Sequence, residues 1–392
     1  MLWTRRKQAQ NHFRARCQEH LGSGFLFLRT RLTERDGRPV GFNPAPEESA
    51  RKQSDLSLRA ILSRLLVGQS MPRHEAEFFL GALLDGEATD SQIGAALVAL
   101  AIKGETITEL AGMANAMRSR AVRICSQHER FIDTAGTGSS NAKTFNVSTA
   151  AALVIAGAGL PVAKHGNRAA SSRTGSADVL TSLGVNVGVA PEISEQCLNQ
   201  LGICFMFAPL YHGTTARVAG IRRELGVRTV FNLLGPLTNP AGAPHQVVGV
   251  WHESMLQPLA HTLAALGTKR SWVVHGLDGL DEITLANKTL VAEATNDGVR
   301  TFEIGPEDFG LKPASLATLR GGDPDHSART IREVISGKRR DAARDLIVIN
   351  AAAALFVGGA AANLVEARCR AEQSIDEGRA QTKLDELIRA TN

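Results

Sequence analysis

The segment DTAGTGSSNAKTFNVST, Asp133–Thr149, decides how this chain is read. A Gly-Thr-Gly turn at Gly136–Gly138 follows a short apolar run and precedes a long small-residue stretch. Six of the last nine residues carry hydroxyl, amide or ammonium groups. A glycine turn between a strand and a helix leaves backbone N–H groups facing outward, and the helix N-terminus adds its positive dipole end. Gly136 and Gly138 let the backbone approach a ligand closely. Thr137, Ser139, Ser140, Asn141, Lys143, Asn146, Ser148 and Thr149 add side-chain donors. A polyphosphate suits such a cradle. A tight turn that only packs a helix on a strand would use the same glycines.

Working outward, FIDTAG begins with a short strand, Ser148–Ala158 is a small-residue helix and Leu160–Lys164 is a second strand. KHGNRAASSRTGSADVLTSLG, Lys164–Gly184, leaves that strand with Lys164, His165, Asn167 and Arg168 in five residues. Lys164 offers a point charge and Arg168 a planar fork for phosphate or carboxylate. The helix Ser176–Leu183 leads to VNVGV, and the helix Ala190–Leu201 leads to ICFMF, both read as strands. HQVVGV at His245–Val250 and SWVVH at Ser271–His275 are further strands, separated by the helix Met255–Leu266. Alternating strands and helices predict an α/β domain with a largely parallel sheet, whose ligands bind at the C-terminal strand ends. The tail from about Asp341 reads as a pair of helices, with Ala351–Ala354 and Val357–Ala362 as close-packing small residues.

Upstream, Leu58, Ile61, Leu62, Leu65 and Leu66 share one helical face. Ala76–Leu84, Ile93–Ala101 capped by Asp90, and Thr106–Met117 with Thr108 as candidate cap complete a small domain of short antiparallel helices over 54–121. Residues 1–53 show no sustained periodicity and end in the linker-like FNPAPEESARKQ; they read as a basic, disordered extension.

The net charge of +5 is local. Residues 1–52 hold eleven Lys/Arg against five Asp/Glu, a surplus of six, so the remainder is close to neutral. That distribution argues against a nucleic-acid-binding body. Hydrophobic content of 43% and charged content of 21% are ordinary for a globular enzyme. Five cysteines, at 17, 125, 197, 204 and 369, show neither CxxC nor ligand spacing and fit a reducing compartment. No apolar run reaches the ~18 residues of a membrane span. Gly22–Phe27, GSGFLF, is too short even for a secretory signal core, so a cytoplasmic location is expected.

Several long motifs in order now carry a resemblance: DTAGTGSSNAKTFNVSTAAALV, VAKHGNRAASSRTGSADVLTSLGV, FMFAPLYHGTTARVAGIRRELGVRTVFNLLGPLTNPA, DEI at Asp281–Ile283 and NAAAAL at Asn350–Leu355. The helical opening LRAILSRLLVG…GEATDSQIGAALVALAIKGET also fits. From about residue 54 to the C-terminus the chain resembles the anthranilate phosphoribosyltransferase family, of the nucleoside phosphorylase-like class. The resemblance implies a small α-helical N-terminal domain (54–122, joined by helices from about 190–222) on a large α/β domain (123–392), with the active site between them. It implies transfer of a 5-phosphoribosyl group from phosphoribosyl pyrophosphate (PRPP) to the amine of anthranilate, releasing pyrophosphate, with Mg²⁺ as cofactor. It assigns PRPP to Gly136, Thr137, Gly138, Ser139, Ser140, Thr144, Asn146, Ser148, Thr149, Lys164 and Ser172. It assigns anthranilate to Gly136, His165, Asn167, His212 and Arg222, with Arg222 on the substrate carboxylate. Ser148, Asp281 and Glu282 fall at the metal. His165 and His212 are expected to position substrate, and no strong acid or base stands out. The family forms homodimers through its helical domains, and a glutamine amidotransferase subunit of anthranilate synthase is a further candidate partner.

The chain departs from the family in two places. Ser139 and Ser140 stand where Gly-Asp usually completes the glycine loop, which removes a carboxylate. Gly213-Thr214 stand where Pro-Ala is usual, which affects the start of a helix. A pyrimidine-nucleoside phosphorylase shares the fold and the Lys-x-x-x-Arg pattern but not RRELG or FNLLGPLTNP. A non-catalytic nucleic-acid-binding relative would draw on the basic 1–52 segment, against the near-neutral body and an intact Arg222 and Asp281-Glu282.

Overall fold

The computed structural model describes residues 57–138, 144–169, 174–317, 319 and 321–392. The basic extension, Ser139, Ser140, Asn141, Lys143 and Ser172 lie outside the described residues. Four helices come first: α1 (Leu58–Leu66), α2 (Arg73–Leu84), α3 (Asp90–Lys103) and α4 (Ile107–Arg120). Ile61, Leu65, Phe79, Leu80, Ile93, Leu97, Leu110 and Met113 form their shared core. Leu66, expected on the buried face of α1, is 73% exposed. It lies about 140° around the helix from Ile61, whereas Leu65 lies only about 40° away. The caps also differ from expectation. Thr89, not Asp90, caps α3, its hydroxyl accepting from Gln92 N at 3.2 Å while Gln92 Oε1 accepts from Thr89 N. Thr106, not Thr108, caps α4 through the same reciprocal pairing with Glu109. In both cases the box forms where a Thr precedes Gln or Glu by three residues.

The α/β part begins with β1 (Ile132–Asp133), α5 (Val147–Gly157), β2 (Val162–Gly166), α6 (Ser176–Ser182), α7 (Pro191–Leu201) and β3 (Ile203–Phe207). Next come α8 (Ala208–Tyr211), a 3₁₀ turn at Gly213–Thr215, α9 (Ala216–Leu225), α10 (Val230–Leu237), β4 (His245–Gly249), α11 (Leu256–Ala265) and β5 (Arg270–Gly276). A hairpin of β6 (Thr289–Thr295) and β7 (Gly298–Ile304) precedes α12 (Pro324–Ile335), α13 (Ala342–Val357), α14 (Leu364–Asp376) and α15 (Arg379–Thr391). The sheet order is β3-β2-β1-β4-β5-β6-β7. The first five strands are parallel and the last two antiparallel.

Pleating sends alternate residues to two cores. Val247, Trp272, Val274 and Val291 join the core with α5 and α13–α15. Val248, Val273, Ala292 and Ala294 join the core with α1–α4, α10 and α11. Small residues let the helices close in: a Cβ on Gly157 of α5 would lie 2.3 Å from Ser374 Oγ and 2.8 Å from Ala380 N.

Two expectations are corrected here. VNVGV is not a strand. Gly184 (φ +92°) ends α6, and Gly188 N donates to Asn186 Oδ1 at 3.0 Å, so the chain turns while Val185 and Val187 bury in the core. The tail from Asp341 holds three helices rather than two, because Asn363 caps α14 and Gly378 (φ +72°) breaks it from α15. Of the segment 190–222, α7 packs on β3 and α15, whereas α9 packs on α3. The helix α10, just beyond that segment, packs on α3 and α4.

Candidate active site

Starting at β1, the chain runs outward through β2 and β3 on one side and β4 and β5 on the other. The C-terminal ends of β1 and β4 therefore flank a topological switch point, where a crevice opens beyond the sheet. The glycine turn leaves β1 there. Gly136 pairs with Gly249, the last residue of β4, in a parallel bridge. Thr137 N and Oγ1 both donate to the Gly249 carbonyl, at 2.9 and 3.0 Å. The Thr137 hydroxyl is thus committed to holding the turn. Gly138 takes φ +64°, a conformation that glycine adopts without strain.

Asn146 precedes α5 in the left-handed conformation (φ 56°, ψ 53°), unusual for a residue other than glycine, though Asn tolerates it best. Ser148 N donates to Glu282 Oε1 at 3.2 Å, so the start of α5 receives a carboxylate from the loop after β5. Lys164, buried in the middle of β2, donates to the Thr134 carbonyl at 2.5 Å and lies 3.4 Å from Ser148 Oγ. Burial pulls its ammonium pKa down, while Asp133 and Glu282 pull the other way. Burial likewise raises Glu282 to about 8, with Asp281 next to it adding repulsion. The Glu282 carboxylate, with Asp281 beside it, and the Ser148 hydroxyl thus stand near one buried ammonium. This donor set is all oxygen and too small to enclose a cation, which fits Mg²⁺ shared with waters and phosphate oxygens. Among the described residues no group of three or more His, Cys, Asp or Glu forms a closed metal cage.

Behind the turn, Asp133 accepts from His165 N at 3.2 Å and from Asn239 Nδ2 at 2.7 Å; its carboxyl is raised to about 6 by burial. His165 Nδ1 meets the Gly235 carbonyl at 3.2 Å. The His165 and His212 rings lie 5.2 Å apart, and both Nε2 atoms are buried without a partner. Burial lowers His165 to about 3 and His212 to about 4, so both are neutral near pH 7. Arg222, at the end of α9, is half-buried over the Phe231 ring, 5.2 Å from its centroid. Its Nη2 donates to Asn232 Oδ1 at 3.3 Å, and its Nε is buried without a partner. Among the described residues no carboxylate pairs with it.

The remaining candidates are more scattered. Asn167 is exposed and accepts from Arg168 N, while Arg168 pairs with Asp178 at 2.8 Å. Thr149 is buried and turned toward Leu180, Ile203 and Leu387, its hydroxyl without a partner. Thr144 is half-buried beside the undescribed loop segment. The turn at Gly213–Thr215 precedes α9, so the Gly213-Thr214 departure falls at a helix start. Sequence reasoning assigned no role to Gly249, Asn350 or Asn239. A glycine inside the strand HQVVG and an asparagine inside VINAAAAL were the available signals.

Residues 128–381 match the glycosyl transferase family, a/b domain, and residues 59–121 match the helical bundle domain of that family. The class is therefore that of glycosyl-transferring enzymes built from a helical bundle and an α/β domain. The anthranilate phosphoribosyltransferase of Moorella thermoacetica is 47% identical over 331 residues, covering 84% of this chain and 97% of that one. The crystal structure of the Thermus thermophilus enzyme of the same name matches with a TM-score of 0.79 and 39% identity, over 84% of this chain and 98% of that one. The Saccharomyces cerevisiae enzyme, solved in complex with PRPP and Mg, matches with a TM-score of 0.78 and 28% identity, over 86% and 99%. The chain belongs to the anthranilate phosphoribosyltransferase family.

Proposed function

We propose that this chain transfers the 5-phosphoribosyl group of PRPP to the amine of anthranilate, giving N-(5-phosphoribosyl)anthranilate and pyrophosphate. What supports this reading most is the presence of two unlike groups of residues, one at the switch point and one carried by α9 and α10. A glycine turn with Lys164 and the acidic pair suits a pyrophosphate. A half-buried guanidinium with no carboxylate partner among the described residues, together with two imidazoles neutral near pH 7, suits an aromatic amino acid.

In this reading the anomeric C–O bond breaks as the anthranilate nitrogen bonds to the same carbon. Pyrophosphate takes the electron pair, and the amine loses one proton afterwards. Asp281, Glu282 and Ser148 would hold Mg²⁺, which when bound neutralises charge on the leaving pyrophosphate. The ammonium of Lys164 and the amides around Gly138 hold the same oxygens in a site with little water to compete. Arg222, braced by Phe231 and Asn232, takes the anthranilate carboxylate in a forked, charge-assisted contact. His165 holds its proton on Nδ1 because the Gly235 carbonyl can only accept. Its Nε2 therefore accepts from the aromatic amine and orients it, and its low pKa makes it a weak base.

The free enzyme is read as a homodimer. Leu66, Val67 and Ile102 are 73, 72 and 82% exposed. Lys103 Nζ lies 3.4 Å from Ser70 Oγ, which brings the ends of α1 and α3 together. Apolar residues clustered on a helical bundle mark an association surface. Among the described residues Cys197, Cys204 and Cys369 are free thiols, in keeping with a cytoplasmic reaction.

Loss of anthranilate fluorescence on mixing the protein with PRPP and Mg²⁺ tests donor, acceptor and metal together. Arg222→Ala is expected to raise the anthranilate KM by roughly ten-fold or more, with the PRPP KM held within about two-fold. Equal rises in both would remove the carboxylate role.

A further inference from the structure

We infer that Gly249 and Asn350 form a two-sided clamp that fixes the Asp281–Ile283 loop against the Gly136–Gly138 turn before any substrate arrives. The inference rests on the phosphoribosyl-transfer reading above and names positioning residues for it.

Gly249 joins the two loops from below. Its carbonyl takes both donors of Thr137, at 2.9 and 3.0 Å, which ties the glycine turn to the end of β4. The other side of the same residue lies against the acidic loop. A Cβ at Gly249 would sit 1.7 Å from the Asp281 carbonyl oxygen and 2.7 Å from its carbon. No side chain fits there without moving that backbone. One glycine therefore sets the spacing between the group expected to hold pyrophosphate and the group expected to hold its cation.

Asn350 holds the loop from the opposite side. It projects from α13, is only 4% exposed, and lines the same small pocket as Gly136, Ser148, Gly249 and Glu282. Its Oδ1 accepts from Ile283 N at 2.9 Å, while its Nδ2 donates to Ile283 O and Leu346 O, each at 2.9 Å. The side-chain amide thus satisfies both backbone groups of the residue directly after Glu282, much as a neighbouring strand would. The residues around it in VINAAAAL are apolar, and an apolar side chain would bury there at less cost. An amide at that position makes sense if the loop needs holding. Groups that orient metal ligands without touching the metal commonly matter about as much as the ligands.

Hydrogen exchange read by mass spectrometry on the full chain, without PRPP or metal, tests the clamp directly. In the wild type the Ile283 amide is expected to exchange at least ~100-fold more slowly than an unstructured amide. Asn350→Ala should speed that exchange about ten-fold or more while β4 and β5 keep wild-type protection. The same variant, and Gly249→Ala, should raise the Mg²⁺ concentration for half-maximal turnover by roughly ten-fold, with the anthranilate KM within about two-fold of wild type. An Ile283 amide that exchanges at the unstructured rate in the wild type overturns the clamp, even if neither variant folds. So does an Asn350→Ala protein that loses protection everywhere equally, with both substrates' KM values shifted alike. Wild-type protein that lacks PRPP-dependent turnover but protects Ile283 would instead overturn the functional reading and leave the clamp standing.

Discussion

His165 shows how far one side chain's surroundings fix its chemistry. Its Nδ1 can only donate to the Gly235 carbonyl, so Nε2 carries the lone pair, buried and without a protein partner. Burial first, then the neighbouring His212, lowers its pKa to about 3. An unfolded histidine titrates at about 6.5. Between these values unfolding takes up a proton. The stability is therefore fully present above about pH 6.5 and is lost as pH falls toward 3, at up to about 1.4 kcal/mol per pH unit for one group. His212, lowered to about 4 mainly by burial, adds to the same slope. Glu282 and Asp133, raised to about 8 and about 6 by burial, act with the opposite sign in this window, so the histidine is read as a difference between proteins. The urea midpoint of His165→Phe should gain on that of the wild type as pH falls from 7 to 5; an offset between the two midpoints that does not change with pH would contradict the assignment. Arg222 and His165 stand in long motifs and the acidic pair in the short DEI, and the resemblance supplied the role expected of each. The residues that hold them had no such legibility as partners. Asp133 meets Asn239 across 106 residues, and Ile283 meets Asn350 across 67. A polar residue in an apolar run signals that it has a partner, but not which distant backbone supplies it.

At the scale of elements, the strands β1 to β5 and the helices α5, α6, α7 and α11 follow from hydrophobic runs punctuated by glycine, and tertiary packing rewards the same pattern. What went unread was short or sheet-dependent. The hairpin β6–β7 turns at Asn296-Asp297 before Gly298, a recognisable turn signal, but its antiparallel pairing with β5 is fixed only by the sheet. VNVGV has the composition of a strand and no neighbour to pair with. Helix starts were read one residue off at α3 because Asp and Thr are both good caps, and the Gln92 side chain decides between them. This ranking can be measured. Thr89→Ala removes the acceptor for Gln92 N and should cost about 1 kcal/mol of stability in a urea titration. Asp90→Ala loses only an exposed ion pair with Arg217, 2.7 Å long, and should cost about 0.5 kcal/mol or less. The reverse order would restore Asp90 as the cap.

Across the whole molecule, the two cores divide the labour. One core joins α5 and the C-terminal helices to the sheet and carries the phosphate side of the site, with the glycine turn, Ser148 and the loop that Asn350 holds. The other joins α1–α4, α10 and α11 to the opposite face and, through α10, supplies the Gly235 carbonyl, Phe231 and Asn232 that brace His165 and Arg222. The groups described for the site stand on these two cores, while the exposed Leu66, Val67 and Ile102 lie at the C-terminal ends of α1 and α3. Association through that end should therefore support the fold rather than complete the site. The double variant Leu66→Glu, Ile102→Glu places two charges on the patch without touching a buried residue. It is expected to elute at half the wild-type mass in light-scattering chromatography, with an unchanged helical circular dichroism signal. Its turnover should stay within about two-fold of wild type at 25 °C, while its melting temperature falls, since a folded partner no longer stabilises the native state by mass action. A monomeric variant with no activity and an intact fold would mean that the second chain reaches the site, and the division between the two cores would have to be redrawn.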